Sequence, residues 1–311
     1  MRAMRRPTAG PPAPRAGAHP AALGVVASYV QLTKPRIVEL LLVTTVPAMI
    51  LAKNGLPSLW LILATLLGGA AAAGGANAIN QYVDRDIDEV MHRTRRRPLP
   101  AHRIHPRRAL LFGIALGAAG FAWLWTTVNL LSAVLSLSAL AFYVFVYTLW
   151  LKRRSSQNIV IGGAAGAVPA LVGWAAVTGT VGAPAWVLFG IVFLWTPPHF
   201  WALSMRYERD YAAAGIPMLP VVAGKDATTR QILLYSVVLV ASSLVLIPVA
   251  HMGVLYAAAS LLLGWRFIAG AVRLRRKGTV GAAMSLFRYS ILYLSLLFGV
   301  VAVDTFAHIR L

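Results

Sequence analysis

Asn80, Asp84 and Asp88 recur at intervals of four residues. On an α-helix that spacing puts all three on one face, each about 6 Å further along the axis. Oxygen-bearing, like-charged side chains this close repel one another unless a cation is shared between them. The chain has 9 acidic residues among 311, and Asp84, Asp86, Asp88 and Glu89 account for four of them. There are 0 cysteines, which excludes a thiolate nucleophile or a thiolate metal site. A metal would be held by oxygen or histidine, and carboxylates suit hard cations such as Mg²⁺. Asp86 lies about 200° round a helix from Asp84, so it is expected to pair with a nearby arginine instead of joining the row. A second acidic pair, Glu208 and Asp210, lies far along the chain; two residues apart, the pair falls on different faces of a helix.

These residues must be positioned by a bilayer. The chain is 59% hydrophobic and 12% charged, with a mean hydropathy of +0.70, more apolar surface than a soluble core absorbs. Apolar runs predict nine transmembrane helices over 37–53, 57–82, 109–127, 130–150, 158–178, 184–205, 231–250, 252–270 and 287–306. The Pro-, Ala-, Gly- and Arg-rich residues 1–28 read as a disordered basic cytoplasmic tail, and 29–311 as one transmembrane domain. The formal charge of +20 could suggest nucleic acid, but the basic residues follow membrane topology. With the N terminus inside, 27 of the 29 Lys and Arg fall on inside segments and only Lys53 and Arg310 outside, which predicts an N-in, C-out arrangement.

Two inside connections, about 83–108 and 206–230, are too long for simple turns, and long ordered loops are usually functional. Each opens on an acidic cluster. The small-residue stretches Gly68–Gly75 and Gly162–Gly166 are read as tight helix packing. Two carboxylate clusters on one membrane side, among many Lys and Arg, suit a metal-bound polyanion such as a diphosphate. The remainder of that ligand must be at home in a bilayer. The chemistry would be loss of diphosphate from an activated lipid, with an apolar chamber shielding the carbocation from water.

The run from Asn80 to Asp88 resembles the first aspartate-rich motif, N-x-x-x-D-x-x-x-D, of the UbiA superfamily of intramembrane prenyltransferases. Other stretches resemble its haem-farnesylating branch: Leu32-Thr33-Lys34-Pro35-Arg36-Ile37, Arg97-Pro98-Leu99, Leu151-Lys152-Arg153, Gln157 through Ala167, Trp195-Thr196-Pro197-Pro198-His199-Phe200-Trp201, and Asp210-Tyr211 through Pro220. The resemblance implies an all-α fold of nine helices around a central cavity. It implies Mg²⁺-assisted ionisation of farnesyl diphosphate and transfer of the farnesyl group to a vinyl group of protohaem IX (haem B), giving haem O. It implies the bacterial inner membrane, or alternatively the mitochondrial one, with the site on the cytoplasmic or matrix side. A haem A synthase or a terminal oxidase assembly is the implied recipient of the product. The chain departs from the wider superfamily in having Gln81 after the motif's Asn, and in its sparse second acidic motif.

The expected catalytic and metal-binding residues are therefore Asn80, Asp84, Asp88 and Asp210, and the expected substrate-binding residues are Lys34, Arg36, Arg97, Lys152 and His199. His199 follows Pro197-Pro198 at mid-membrane, where a polar side chain is a functional candidate; a buried histidine bonded to a carbonyl is the plainer reading. Two other functions stay open at this point. A prenyltransferase for an aromatic acid would act on a hydroxybenzoate and not on protohaem. A secondary transporter would carry its acids at mid-membrane, whereas most acids here lie at the cytoplasmic ends of the spans.

Overall fold

A computed structural model describes residues 22–307, apart from the side chains of residues 22, 23 and 36–42. All regular structure among them is helical. The elements run α1 (Ala22–Thr33), α2 (Pro35–Lys53), α3 (Leu59–Val83), α4 (Arg85–Val90), α5 (Pro106–Thr127) and α6 (Leu130–Ala141), which passes into a π-helical segment, Phe142–Leu151. They continue as α7 (Asn158–Thr178), α8 (Ala183–Arg206), α9 (Glu208–Ala213), α10 (Leu219–Val222), α11 (Gly224–Ala250), α12 (Val254–Lys277) and α13 (Val280–Ala307). Eight helices among the described residues are long and apolar enough to cross a membrane, α6 and the π-segment counting as one. α1 begins inside the stretch read as a tail; residues 1–21 lie outside the described residues.

The three last spans extend beyond their apolar runs on the basic side. α11 begins at Gly224, α12 ends at Lys277 and α13 begins at Val280. Charged residues end an apolar window but not a helix, because headgroups and water solvate them. Arg275, Arg276 and Lys277 also favour the negative end of the α12 dipole. α8 likewise continues through Pro197 and Pro198.

α3 packs most extensively on α5, and α7 lies among α2, α6 and α8. The α3–α5 contact is backbone on backbone: a Cβ at Gly75 would lie 2.6 Å from the Gly113 carbonyl oxygen. Small residues make such approach possible, as expected for Gly68–Gly75. The main apolar core lies among α8, α11, α12 and α13, around Trp195, Trp201, Tyr256, Phe267 and Tyr293. A smaller core joins the two long connections: Ile87 and Met91 pack with Tyr211, Ile216 and Met218 over Ile159 at the start of α7. The two acid-bearing connections thus form one cap on the bundle.

Candidate active site

The row built by α3 survives the end of that helix. Asp84 terminates α3 and precedes α4, yet its amide donates to the Asn80 carbonyl at 2.9 Å and the Asp88 amide donates to the Asp84 carbonyl at 2.8 Å. The four-residue register therefore holds. Asn80, Asp84 and Asp88 are buried, with Asp84 at 0% exposure. The Asp86 side chain is 59% exposed and is gripped by Arg153, whose Nη1 and Nη2 donate at 2.7 and 2.6 Å. That guanidinium holds the Asp86 carboxyl below the usual carboxylate range.

Each member of the row has a cation. Lys34 Nζ donates to Asn80 Oδ1 at 3.0 Å. Lys152 forms an ion pair with Asp84 Oδ2. Arg97 Nη1 donates to Asp88 Oδ2 at 2.7 Å. Asn80 Nδ2 donates to Asp84 Oδ2 at 2.6 Å and to Thr148 Oγ1 at 3.2 Å, linking the row to the π-segment. Asp84 Oδ1 is buried without a hydrogen-bond donor; Arg153 Nη2 stands 4.0 Å away. An orphaned buried carboxylate oxygen is expensive, and here it is a lone pair held ready for a further partner.

Three separate elements deliver these cations. Lys34 joins α1 to α2 in a left-handed conformation, φ 51°, which a residue with a Cβ adopts only under constraint. The constraint comes from α3: Asn77 Nδ2 donates to the Thr33 carbonyl at 3.2 Å and Gln81 Nε2 to the Leu32 carbonyl at 2.9 Å. These bonds satisfy carbonyls left open at the end of α1. Lys34 is held down to about 7 by desolvation first, then by the positive charges of Arg97 and Lys152, against the opposite pull of Asp88 and Asp84. Arg97 arrives on the loop after α4. Lys152 follows the π-segment, where Thr148 Oγ1 donates to the Tyr143 carbonyl at 2.8 Å and the Lys152 amide to the Tyr147 carbonyl at 2.9 Å. Bonding five residues back places Tyr143, Thr148 and Lys152 above one another; such segments recur at functional sites.

One turn into the membrane from the row lies a cavity of about 260 Å³, lined by α3, α6, the π-segment, α7 and α8, with contributions from Thr44 and Thr45. Asn77, Tyr143, Tyr147 and Ile159 line its end towards the row, and among the described residues no Lys, Arg, Asp or Glu lines it. The small residues of the Gly68–Gly75 and Gly162–Gly166 stretches therefore serve two faces: Gly75 permits helix contact, while Gly69 and Gly166 open onto the cavity.

Two expected residues are placed elsewhere. His199 Nδ1 is 2.7 Å from Ser290 Oγ, and its ring stacks between Trp195 and Phe287, with centroids 4.2 and 4.6 Å apart; it is not among the residues lining the cavity. Asp210 Oδ2 accepts the Arg93 amide at 3.3 Å. Among the described residues no three Asp, Glu, His or Cys gather as a metal group, so Asp210 does not converge with Asp84 and Asp88. The break at Tyr207 starts α9 anew and turns Asp210 towards the Arg93 loop. The side chain of Arg36 lies outside the described residues. Thr148, Arg153 and Asn77 are additions the linear pattern did not mark. Thr148 lies four residues before Lys152, a spacing that could have signalled it.

Residues 41–297 match the model of the UbiA prenyltransferase family. The chain belongs to that family. It is 57% identical over 285 residues to protoheme IX farnesyltransferase 1 of Saccharopolyspora erythraea, covering 91% of both chains. In fold it is similar to a structure of digeranylgeranylglyceryl phosphate synthase, with a TM-score of 0.75 at 17% identity, covering 91% of this chain and 99% of that one. It is also similar to a UbiA homolog from Archaeoglobus fulgidus bound to GPP and Mg²⁺, with a TM-score of 0.58 at 17% identity, covering 88% and 99%.

Proposed function

We propose that this UbiA prenyltransferase transfers the farnesyl group of farnesyl diphosphate to a vinyl group of protohaem IX, forming haem O and releasing diphosphate. The observation that carries the reading is a buried row of two carboxylates and one amide, each with its own cation, directly above a cavity whose lining is uncharged among the described residues. The name of the 57% identical relative supports farnesyl and protohaem as the substrates.

Lys34, Lys152 and Arg97 bind diphosphate oxygens, and Arg36 joins them on the strength of its place in the sequence motif alone. A diphosphate arriving among these cations supplies the negative charge that desolvated Lys34 lacks. Asp84 and Asp88, with Asn80, would hold Mg²⁺. Asp84 Oδ1 fits that role as a buried acceptor with no donor, and Mg²⁺ typically takes one or two carboxylates and completes its shell with phosphate and water. When bound, the ion neutralises charge developing on the leaving diphosphate. Departure of diphosphate leaves an allylic cation in the cavity, where apolar walls and Tyr143 and Tyr147 exclude bulk water. The vinyl π-pair of protohaem forms the new C–C bond to the farnesyl C1. Water then adds to the resulting haem-side cation and loses a proton, leaving a hydroxyethylfarnesyl group.

Asp210 contributes by fixing the Arg93 loop over the site, and His199 acts indirectly, stacking on Trp195, which lines the cavity. α2 serves as the ninth span, giving an N-in, C-out bundle with its site on the cytoplasmic face of the bacterial inner membrane. A haem A synthase or terminal oxidase assembly receives the product. Purified protein incubated with protohaem, farnesyl diphosphate and Mg²⁺ should yield haem O by mass. Prenylation of a hydroxybenzoate with protohaem untouched would sink the reading.

A further inference from the structure

We infer that Gly69 and Gly166 set the length of isoprenoid chain the enzyme accepts; this rests on the reading of the cavity as the prenyl chamber. The cavity extends along α3 from Asn77 back to Thr65, about 18 Å at 1.5 Å per residue. Along α7 it extends from Ile159 to Val172, about 20 Å. Its lining, uncharged among the described residues, offers no countercharge to a diphosphate or to haem propionates, but suits a hydrocarbon chain hanging from the row above.

Most glycines near this chamber are there for packing. A Cβ at Gly163 would lie 2.9 Å from Thr196 Cβ, and one at Gly68 would lie 2.5 Å from Leu124 Cγ. Gly69 and Gly166 differ. Both line the cavity, and among the described residues a Cβ at either meets nothing within 4 Å. Packing among the described residues gives no reason for glycine there, and glycine weakens a helix interior relative to alanine. The missing side chains enlarge the chamber instead. Gly69 lies about 12 Å along α3 from Asn77, and Gly166 about 10 Å along α7 from Ile159. The two are therefore at similar depth, half to two-thirds of the way down, on different helices. Isoprene units nearest the diphosphate lie above this level and the distal ones at or below it. A side chain at either position narrows the chamber where only a longer chain reaches.

The test measures binding and transfer separately for geranyl, farnesyl and geranylgeranyl diphosphates, using the full chain in detergent or membranes. Binding is read by retention of each labelled diphosphate with Mg²⁺, and transfer by mass of the haem product. Gly69→Leu and Gly166→Leu should each shift the farnesyl-to-geranyl preference about ten-fold towards geranyl, the scale on which apolar pockets discriminate small hydrocarbon increments. Gly69→Ala and Gly166→Ala should shift it in the same direction by less, and they serve if the leucine variants fail to insert. Parallel loss of both diphosphates, or an unchanged preference in all four variants, overturns the chain-length role. A wild-type protein that retains farnesyl diphosphate without farnesylating haem would instead overturn the acceptor assignment, and the binding preferences would still decide this inference.

Discussion

Two buried carboxylates at opposite ends of the bundle face opposite fates. Asp304, on α13, is 7% exposed beside a second cavity of about 280 Å³. Its Oδ2 accepts the Gly253 amide at 2.6 Å and its Oδ1 the Tyr256 amide at 3.0 Å. Both oxygens are bound by backbone, at the N-terminus of α12 where a negative charge is favourable. Asp84 is as deeply buried, but its partners are side chains, Lys152 and Asn80, and one oxygen has no donor. Backbone donors at a helix end have no other position to adopt. Side-chain cations can turn from a carboxylate to an incoming phosphate. The comparison teaches that burial alone does not separate the two carboxylates; the replaceability of their partners does.

The sharpest way to break this comparison is to exchange the consequences of the two residues. Asp84→Asn should lower haem O formation by about 100-fold or more, the scale of losing one electrostatic stabiliser of a leaving oxyanion. Excess EDTA should abolish turnover of the parent protein in the same assay. Full turnover in either case would show that Asp84 is as structural as Asp304.

Asp304→Ala should do the reverse. It strips the α12 amides of a charged acceptor, worth about 1.5–3 kcal/mol per bond. The thermal midpoint in detergent should fall while turnover per folded molecule stays at the parent value. A loss of activity with an unchanged midpoint would place the second cavity in the reaction.

Arg97→Gln is expected to raise KM for farnesyl diphosphate about ten-fold, as one charge-assisted bond of about 1.5 kcal/mol is lost, with a smaller effect on protohaem. Steady-state titration of each substrate separates the two. Equal effects on both would move Arg97 to the acceptor side.

Asp86→Ala is the smallest change. Its pair with Arg153 is largely exposed, and such pairs contribute about 0–1 kcal/mol. Turnover should stay within about three-fold of the parent. A loss matching Asp84→Asn would mean that Asp86 reaches the diphosphate.

Much of this was legible in the linear chain. The spacing of Asn80, Asp84 and Asp88 carried the row, because helical geometry converts a period of four into a face. The same geometry turned Asp86 away towards an arginine. Hydropathy located the spans, since a bilayer imposes length and composition on each crossing, and the basic residues suggested their direction. Folding decided which cation meets which carboxylate. Lys34 reaches Asn80 only because α3 amides hold the end of α1, and Lys152 reaches Asp84 only through a π-helical segment that no hydropathy pattern encodes. Folding also drew Asp210 to the Arg93 amide and Asp304 to the α12 amides. Local periodicity reports which face a residue occupies. Its partners come from elements far away in the chain, and only packing brings those into register.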